Sequence, residues 1–267
     1  MSRHYRRIGF VVVAFIFAVA WEAPLAESQD AVGQMTQEMA PSGYRAPAGL
    51  TGDVVIAHML QRNLLRKQQL QHYSAIRTYE IRHLEGKVAA QAVVRVEYEA
   101  PDKKTFSRTS EKGSSIVRHL VFDHLIQSES ETSSGREHHN SAITTANYMF
   151  TLAGEEQIGP YHCFVLEAIP KRKDKYLFEG KIWIDAVDFA VVKIAGQPAK
   201  KPSFWINRAD FVRQYQRIDG FWLPYRDQTF VDLKIYGRRV FTVDHQQYVI
   251  APVNYLRAEK EDMRDAD

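Results

Sequence analysis

The chain has 267 residues, 45% of them hydrophobic and 25% charged, enough to bury a sizeable core as one globular domain with tails and too apolar to be read as disordered. A net charge of +3 without a long basic run argues against nucleic acid as a partner. The single cysteine, Cys163, excludes an internal disulfide and any cysteine-rich zinc site.

Residues 1–26 have the layout of a secretory signal. Arg3, His4, Arg6 and Arg7 precede the apolar run Ile8 to Ala20, whose 13 residues fall short of the ~20 that span a bilayer. Cleavage is expected near Ala20 or Ala26, which places the mature protein in the periplasm. An uncleaved anchor is the alternative. Residues 27–52 mix Gln, Gly, Pro, Ser and Ala without an apolar period and read as a flexible leader. The folded domain is expected over 53–256, followed by a charged tail at 257–267.

A first helix is predicted from Asp53, taken as its N-cap, to Gln71, with Ile56, Leu60 and Leu64 at four-residue spacing and Met59 beside them. Strands follow at Tyr73 to Leu84 and Ala90 to Ala100. In the second, Ala92, Val94, Val96 and Tyr98 share one face and Arg95, Glu97 and Glu99 the other. After a short strand near Thr105 to Ser110, a second helix is predicted over Ser114 to Ser130, its apolar face formed by Val117, Leu120, Val121, His124 and Leu125. Flexible connections at both of its ends make it a candidate movable lid. The polar loop Ser128 to Asn140 carries His138 and His139, but adjacent histidines point different ways and no further ligand is spaced with them, so no metal is expected.

Strands at Asn147 to Ile158 and His162 to Ile169 flank a Gly159-Pro160 turn, and Cys163 among aromatic and aliphatic neighbours reads as a small buried residue. The meander from Lys175 to Pro224 is the clearest part. Ile182 and Ile184 alternate with Trp183 and Asp185; Ala190, Val192 and Ile194 alternate with Val191 and Lys193. Asp219-Gly220 predicts a type I′ hairpin between a strand over Phe204 to Ile218 and one over Phe221 to Tyr236, and a last strand runs from Val240 to Ile250. Two basic connections, Pro170 to Lys175 and Gly196 to Pro202, are either solvated turns or contacts for acidic lipid headgroups, the second reading gaining weight if both lie at one rim.

The lead-in Tyr161 to Leu166, the Gly180 to Asp185 strand, the Phe204 to Ile218 strand and Phe221-Trp222-Leu223-Pro224 together resemble the periplasmic outer-membrane lipoprotein-sorting (LolA-like) family, over roughly Ile56 to Ile250. The resemblance implies an α+β fold: a curved antiparallel sheet of about ten or eleven strands forming an incomplete β-barrel, covered on its concave side by helices. It also implies lipid or lipoprotein acyl chains as ligand. Their cavity would be lined by Ile56, Leu60 and Leu64 on the first helix, Val94, Val96 and Tyr98 on the second strand, Val117, Leu120, Val121 and Leu125 on the second helix, and Ile182, Ile184, Val192 and Phe204 on the meander. The same stripes read equally as packed core. Inner- or outer-membrane proteins would be partners, nucleic acid would not, and no cofactor is called for. Carriers of this family have an arginine before the proline that follows the second strand; here the residue is Ala100, which leans toward a sensor that reports ligand state to a protein partner. An enzyme reading lacks a constellation: no G-x-S-x-G, phosphate-binding glycine loop, H-E-x-x-H or S-x-x-K set occurs, and Asp185 and Asp188 sit where a turn needs Asp. A carboxylate pair assembled by folding stays open, with a hydrolase of an envelope polymer as its consequence.

Overall fold

Both central residues of the Asp219-Gly220 turn have positive φ, 49° and 83°, as a type I′ turn requires, and the flanking strands pair residue for residue from Ile218↔Phe221 to Tyr215↔Pro224, beyond which the register shifts at Tyr225. The computed structural model describes residues 48–101, 103–113, 141–174, 176–201, 204, 206–234 and 237–251. They form one helix, α1 (Gly52–Gln69), and ten strands: β1 (His72–His83), β2 (Val88–Glu99), β3 (Lys103–Gly113), β4 (Tyr148–Ile158), β5 (Tyr161–Pro170), β6 (Phe178–Asp185), β7 (Val191–Pro198), β8 (Ile206–Ile218), β9 (Phe221–Leu233) and β10 (Gly237–Ala251). The signal and leader up to residue 47, the second helix with its loop, Trp205 and the charged tail lie outside the described residues.

All ten strands join one antiparallel sheet in the order β3-β2-β1-β10-β9-β8-β7-β6-β5-β4. Because β1 pairs with β10, the first and last strands lie in the middle and β3 and β4 are the edges, so the curved sheet is an unclosed barrel. The expected cover of helices is, among the described residues, the single helix α1.

This helix is capped by Thr51, not by Asp53: the Thr51 hydroxyl accepts from the Val54 amide at 3.3 Å, and Asp53 stands in the first turn, where a carboxylate favours the helix dipole. Its buried side begins at Gly52, where a Cβ would come within 2.7 Å of the Phe150 carbonyl oxygen, so the bare backbone lets the helix press onto β4. Val55, Ile56 and Met59 follow on this side and pack with Leu166, Ile182, Ile184, Ile194 and Phe211. The sheet face under the helix is the inner face.

Two positions assigned to a cavity wall point elsewhere. Val192 lies opposite no residue of β6, because the register passes from Trp183↔Lys193 to Ile184↔Val191. This bulge turns Val191 toward the inner cluster and puts Val192 with Cys163, Val165, Trp183, Ala190 and Trp222 in a separate cluster. Phe204 precedes β8 instead of opening it and is 76% exposed.

The inner face is not uniformly apolar. On adjacent strands, Arg77 stands opposite His245, and Arg213 opposite Asp227. His245 Nε2 lies 3.2 Å from Asp227 Oδ2, and Arg213 Nε lies 3.8 Å from Asp227 Oδ1. Arg77, His245 and Arg213 are buried, so a polar row crosses β1, β10, β9 and β8 between Val94 on β2 and Ile194 on β7.

Candidate functional site

At the end of the sheet where α1 finishes, the chain leaves an open cleft of about 580 Å³, part of it open to solvent, between the last helical turns, the beginning of β1, the end of β2 and the beginning of β9. Its floor is a cross-strand pair. Tyr73 and Tyr98 face each other across β1 and β2, and their rings stack with centroids 5.1 Å apart. The Tyr98 hydroxyl donates to the Pro101 carbonyl at 2.9 Å, and Tyr248, whose ring touches Tyr73, donates to the Pro224 carbonyl at 2.8 Å. With the Tyr98 hydroxyl engaged by backbone, that ring presents a carbon face to the cleft.

The roof comes from the polar continuation of the buried side of α1. Asn63, Arg66 and Leu70 follow Met59 at helical spacing, and the Arg66 guanidinium donates to Asn63 Oδ1 at 2.9 Å and to the Asp188 carbonyl. Burial lowers the pKa of Arg66 from its usual value, and the Asp188 carboxylate pulls it back up. Lys67 stands exposed at the rim.

The wall is Phe221-Trp222-Leu223-Pro224. The Trp222 indole N–H donates to Asp188 Oδ2 at 2.9 Å, Arg217 Nε lies 3.6 Å from the same oxygen, and the Asp188 amide donates to Asp185 Oδ1 at 2.7 Å. Asp185 therefore does what a turn aspartate is expected to do. Asp188 instead ties the β6–β7 turn, the β8–β9 hairpin and the helix together, a role invisible in the sequence because its partners are 29 to 122 residues away.

Of the residues assigned to a lipid cavity, Tyr98 lines this cleft. Ile56, Ile182 and Ile184 lie fully buried beneath α1, and Val94 and Val96 in the neighbouring inner cluster. Leu60 and Leu64 are 40% and 60% exposed and point away from the sheet, a correction to the predicted stripe. Val192 and Phe204 are placed as described above, and Val117, Leu120, Val121 and Leu125 lie outside the described residues. Reading α1 by apolar residues alone passed over Asn63 and Arg66. The signal for the wall was present in the Phe221 to Pro224 run after the Asp-Gly turn.

The site offers aromatic and aliphatic surface edged by two cations, a chemistry suited to binding an amphiphile. Among the described residues no group of three His, Cys, Asp or Glu side chains is placed to hold a metal ion. The Cys163 thiol is buried and its pKa is pushed up to about 12 by that burial, with the Asp185 and Glu156 carboxylates adding to the shift, so it is no nucleophile at neutral pH.

No family model and no curated protein matches the chain. Among solved structures it is similar to a DUF1329 family protein from Desulfovibrio piger, with 14% identity, TM-score 0.40, and 74% of this chain and 92% of that one covered. It is also similar to an outer membrane lipoprotein-sorting protein domain from Vibrio parahaemolyticus, with 13% identity, TM-score 0.38, and 72% and 90% covered. A LolA superfamily protein from Nitrosomonas europaea aligns with 9% identity, TM-score 0.33, and 76% and 95% covered.

Proposed function

We propose that the protein is a non-catalytic periplasmic binding protein that takes up lipid or lipoprotein acyl chains between its sheet and its helical cover. The observation that carries this reading is the cleft at the mouth of an unclosed barrel, with the stacked and buried Tyr73 and Tyr98 rings beneath it and Phe221 and Leu223 beside it. Beyond Tyr73, Ala75 and Arg77 on the same face of β1 are buried, so a chain reaching further in has to displace packed side chains.

The test is displacement of a fluorescent fatty acid from the purified protein, together with native mass spectrometry of protein taken from a membrane-rich source. The expected results are saturable binding weakened about tenfold or more by Leu223→Asp, which puts a carboxylate in the apolar wall, and a co-purifying lipid. Absence of binding in both measurements overturns the reading.

A sensing role is the second reading, favoured by Ala100 at the place where carriers of the resembled family have arginine. Its amide donates to the Gln71 carbonyl at 2.8 Å, and its side chain has no charge with which to latch a cover. A sensor retains its lipid in the presence of acceptor vesicles, whereas a carrier releases it.

A further inference from the structure

The end of the sheet opposite the cleft gathers cations from connections far apart in sequence. The β5–β6 connection exposes Lys171, Arg172 and Lys173, and the β7–β8 connection exposes Lys200 and Lys201. These two are neighbours, since Phe178 pairs with Pro198 and the Ala199 amide donates to the Leu177 carbonyl at 2.8 Å. The β9–β10 connection adds Lys234 and the start of β10 adds Arg238, and they adjoin the second connection because Ile206 pairs with Leu233. From β5 to β10 the rim spans five strand spacings, about 25 Å.

Three carboxylates stand near these seven cations: Asp174, 3.7 Å from Arg172, Asp232, and Glu179. The excess of four positive charges makes this rim a basic patch among the described residues. In the middle of the rim stands Phe204, 76% exposed, with the Lys234 ammonium 3.4 Å from its ring centroid. Most of this ring is open to solvent, surface that a bilayer interface can take up while lysines reach the phosphates. Duplex nucleic acid matches the charge but leaves the ring unexplained.

We propose that this rim docks on an anionic lipid surface, with the lysine and arginine side chains against the headgroups and Phe204 inserted between them. No helix among the described residues is long and apolar enough to cross a membrane, and the contact inferred here is peripheral. It is independent of what the cleft binds.

The experiment is co-sedimentation of the protein with vesicles of equal parts phosphatidylcholine and phosphatidylglycerol, against vesicles of phosphatidylcholine alone. Binding is expected to the first only, and to fade at roughly 0.5 M NaCl, where the Debye length falls below ~5 Å. The Lys200→Gln, Lys201→Gln double variant is expected to partition about 30-fold less, from about fivefold per charge lost at the surface, and Lys200→Glu with Lys201→Glu to partition less still. Phe204→Ser is expected to weaken binding at unchanged charge. Lys103→Glu with Lys104→Glu, the same charge change at the far end of the sheet, is expected to bind like the parent, and circular dichroism confirms that each variant is folded. Equal binding to both vesicle types, parent-like binding by the rim variants, or retention of duplex DNA with no vesicle binding overturns the proposal.

Discussion

Replacing Ile56 and Leu60 separately by alanine tests how α1 is rotated on the sheet. At about 100° per residue, Gly52, Val55, Ile56, Met59, Asn63, Arg66 and Leu70 fall within an arc of about 100°, and these are the residues of the helix end to end that are buried or half-buried. Leu60 and Leu64 lie about 90° and 130° from the centre of that arc. The stripe drawn through Ile56, Leu60 and Leu64 is therefore turned by about a quarter of a revolution from the side that meets the sheet. Ile56 is fully buried, so its truncation removes the transfer free energy of its outer carbons and leaves a cavity, about 2–5 kcal/mol in all. Leu60, 40% exposed and free of the inner cluster, should cost about 1 kcal/mol or less. With a urea m-value of about 3 kcal/mol/M, the midpoints should fall by about 1 M for Ile56→Ala and by about 0.3 M or less for Leu60→Ala. Equal losses, or a larger one at Leu60, would refute this orientation and with it the placement of Arg66 over the cleft.

Trp222→Phe keeps an aromatic wall but removes the indole donor to the Asp188 carboxylate, and urea unfolding should register a loss of about 2 kcal/mol. In a double-mutant cycle with Asp188→Ala, a coupling below ~0.5 kcal/mol would contradict the junction role of Asp188. Asp227→Ala takes away the carboxylate shared by buried Arg213 and His245 and should cost about 3–5 kcal/mol, whereas Asp210→Ala, which breaks a pair with largely exposed Arg208, should cost about 1 kcal/mol or less by the same unfolding measurement. The Cys163 thiol should resist alkylation at pH 8 in the native protein and react once urea unfolds it. Its folded pKa of about 12 exceeds the unfolded value of about 8.5, so the native state holds the proton longer; stability is unaffected below pH ~8.5 and falls as pH rises toward 12. Cys163→Ala should reduce that slope in alkaline unfolding curves.

Strands were legible because their faces differ. In β2, Ala92, Val94, Val96 and Tyr98 are buried and Arg95 and Glu99 exposed, as alternation requires, and the Asp-Gly turn sets the β8–β9 register as far as Tyr215↔Pro224, before it shifts at Tyr225. Alternation misled at Val192, since a bulge shifts parity by one residue and nothing in Val191-Val192-Lys193 marks it. The strand expected from Phe204 begins at Ile206, and Phe204 stands in the connection before it. Helical spacing found Ile56 and Met59 but extended the stripe to Leu60 and Leu64, because the true continuation is Asn63 and Arg66, polar groups that become half-buried only through partners such as the Asp188 carbonyl. The cleft itself, assembled from segments up to 160 residues apart, has no local signature except its Phe221 to Pro224 wall.

The described chain enters and leaves the sheet at opposite ends. Gly52 starts α1 against Phe150, near the basic connections, and Ala251 ends β10 beside His72, next to the cleft. At about 3.3 Å per residue the 15-residue β10 separates these ends by roughly 50 Å. Orientation on a sensor chip follows from that distance. A tether attached at Ala251 should present the lysine-rich end outward and leave it free for vesicles, whereas one attached at Gly52 would sit on the side of the proposed bilayer contact.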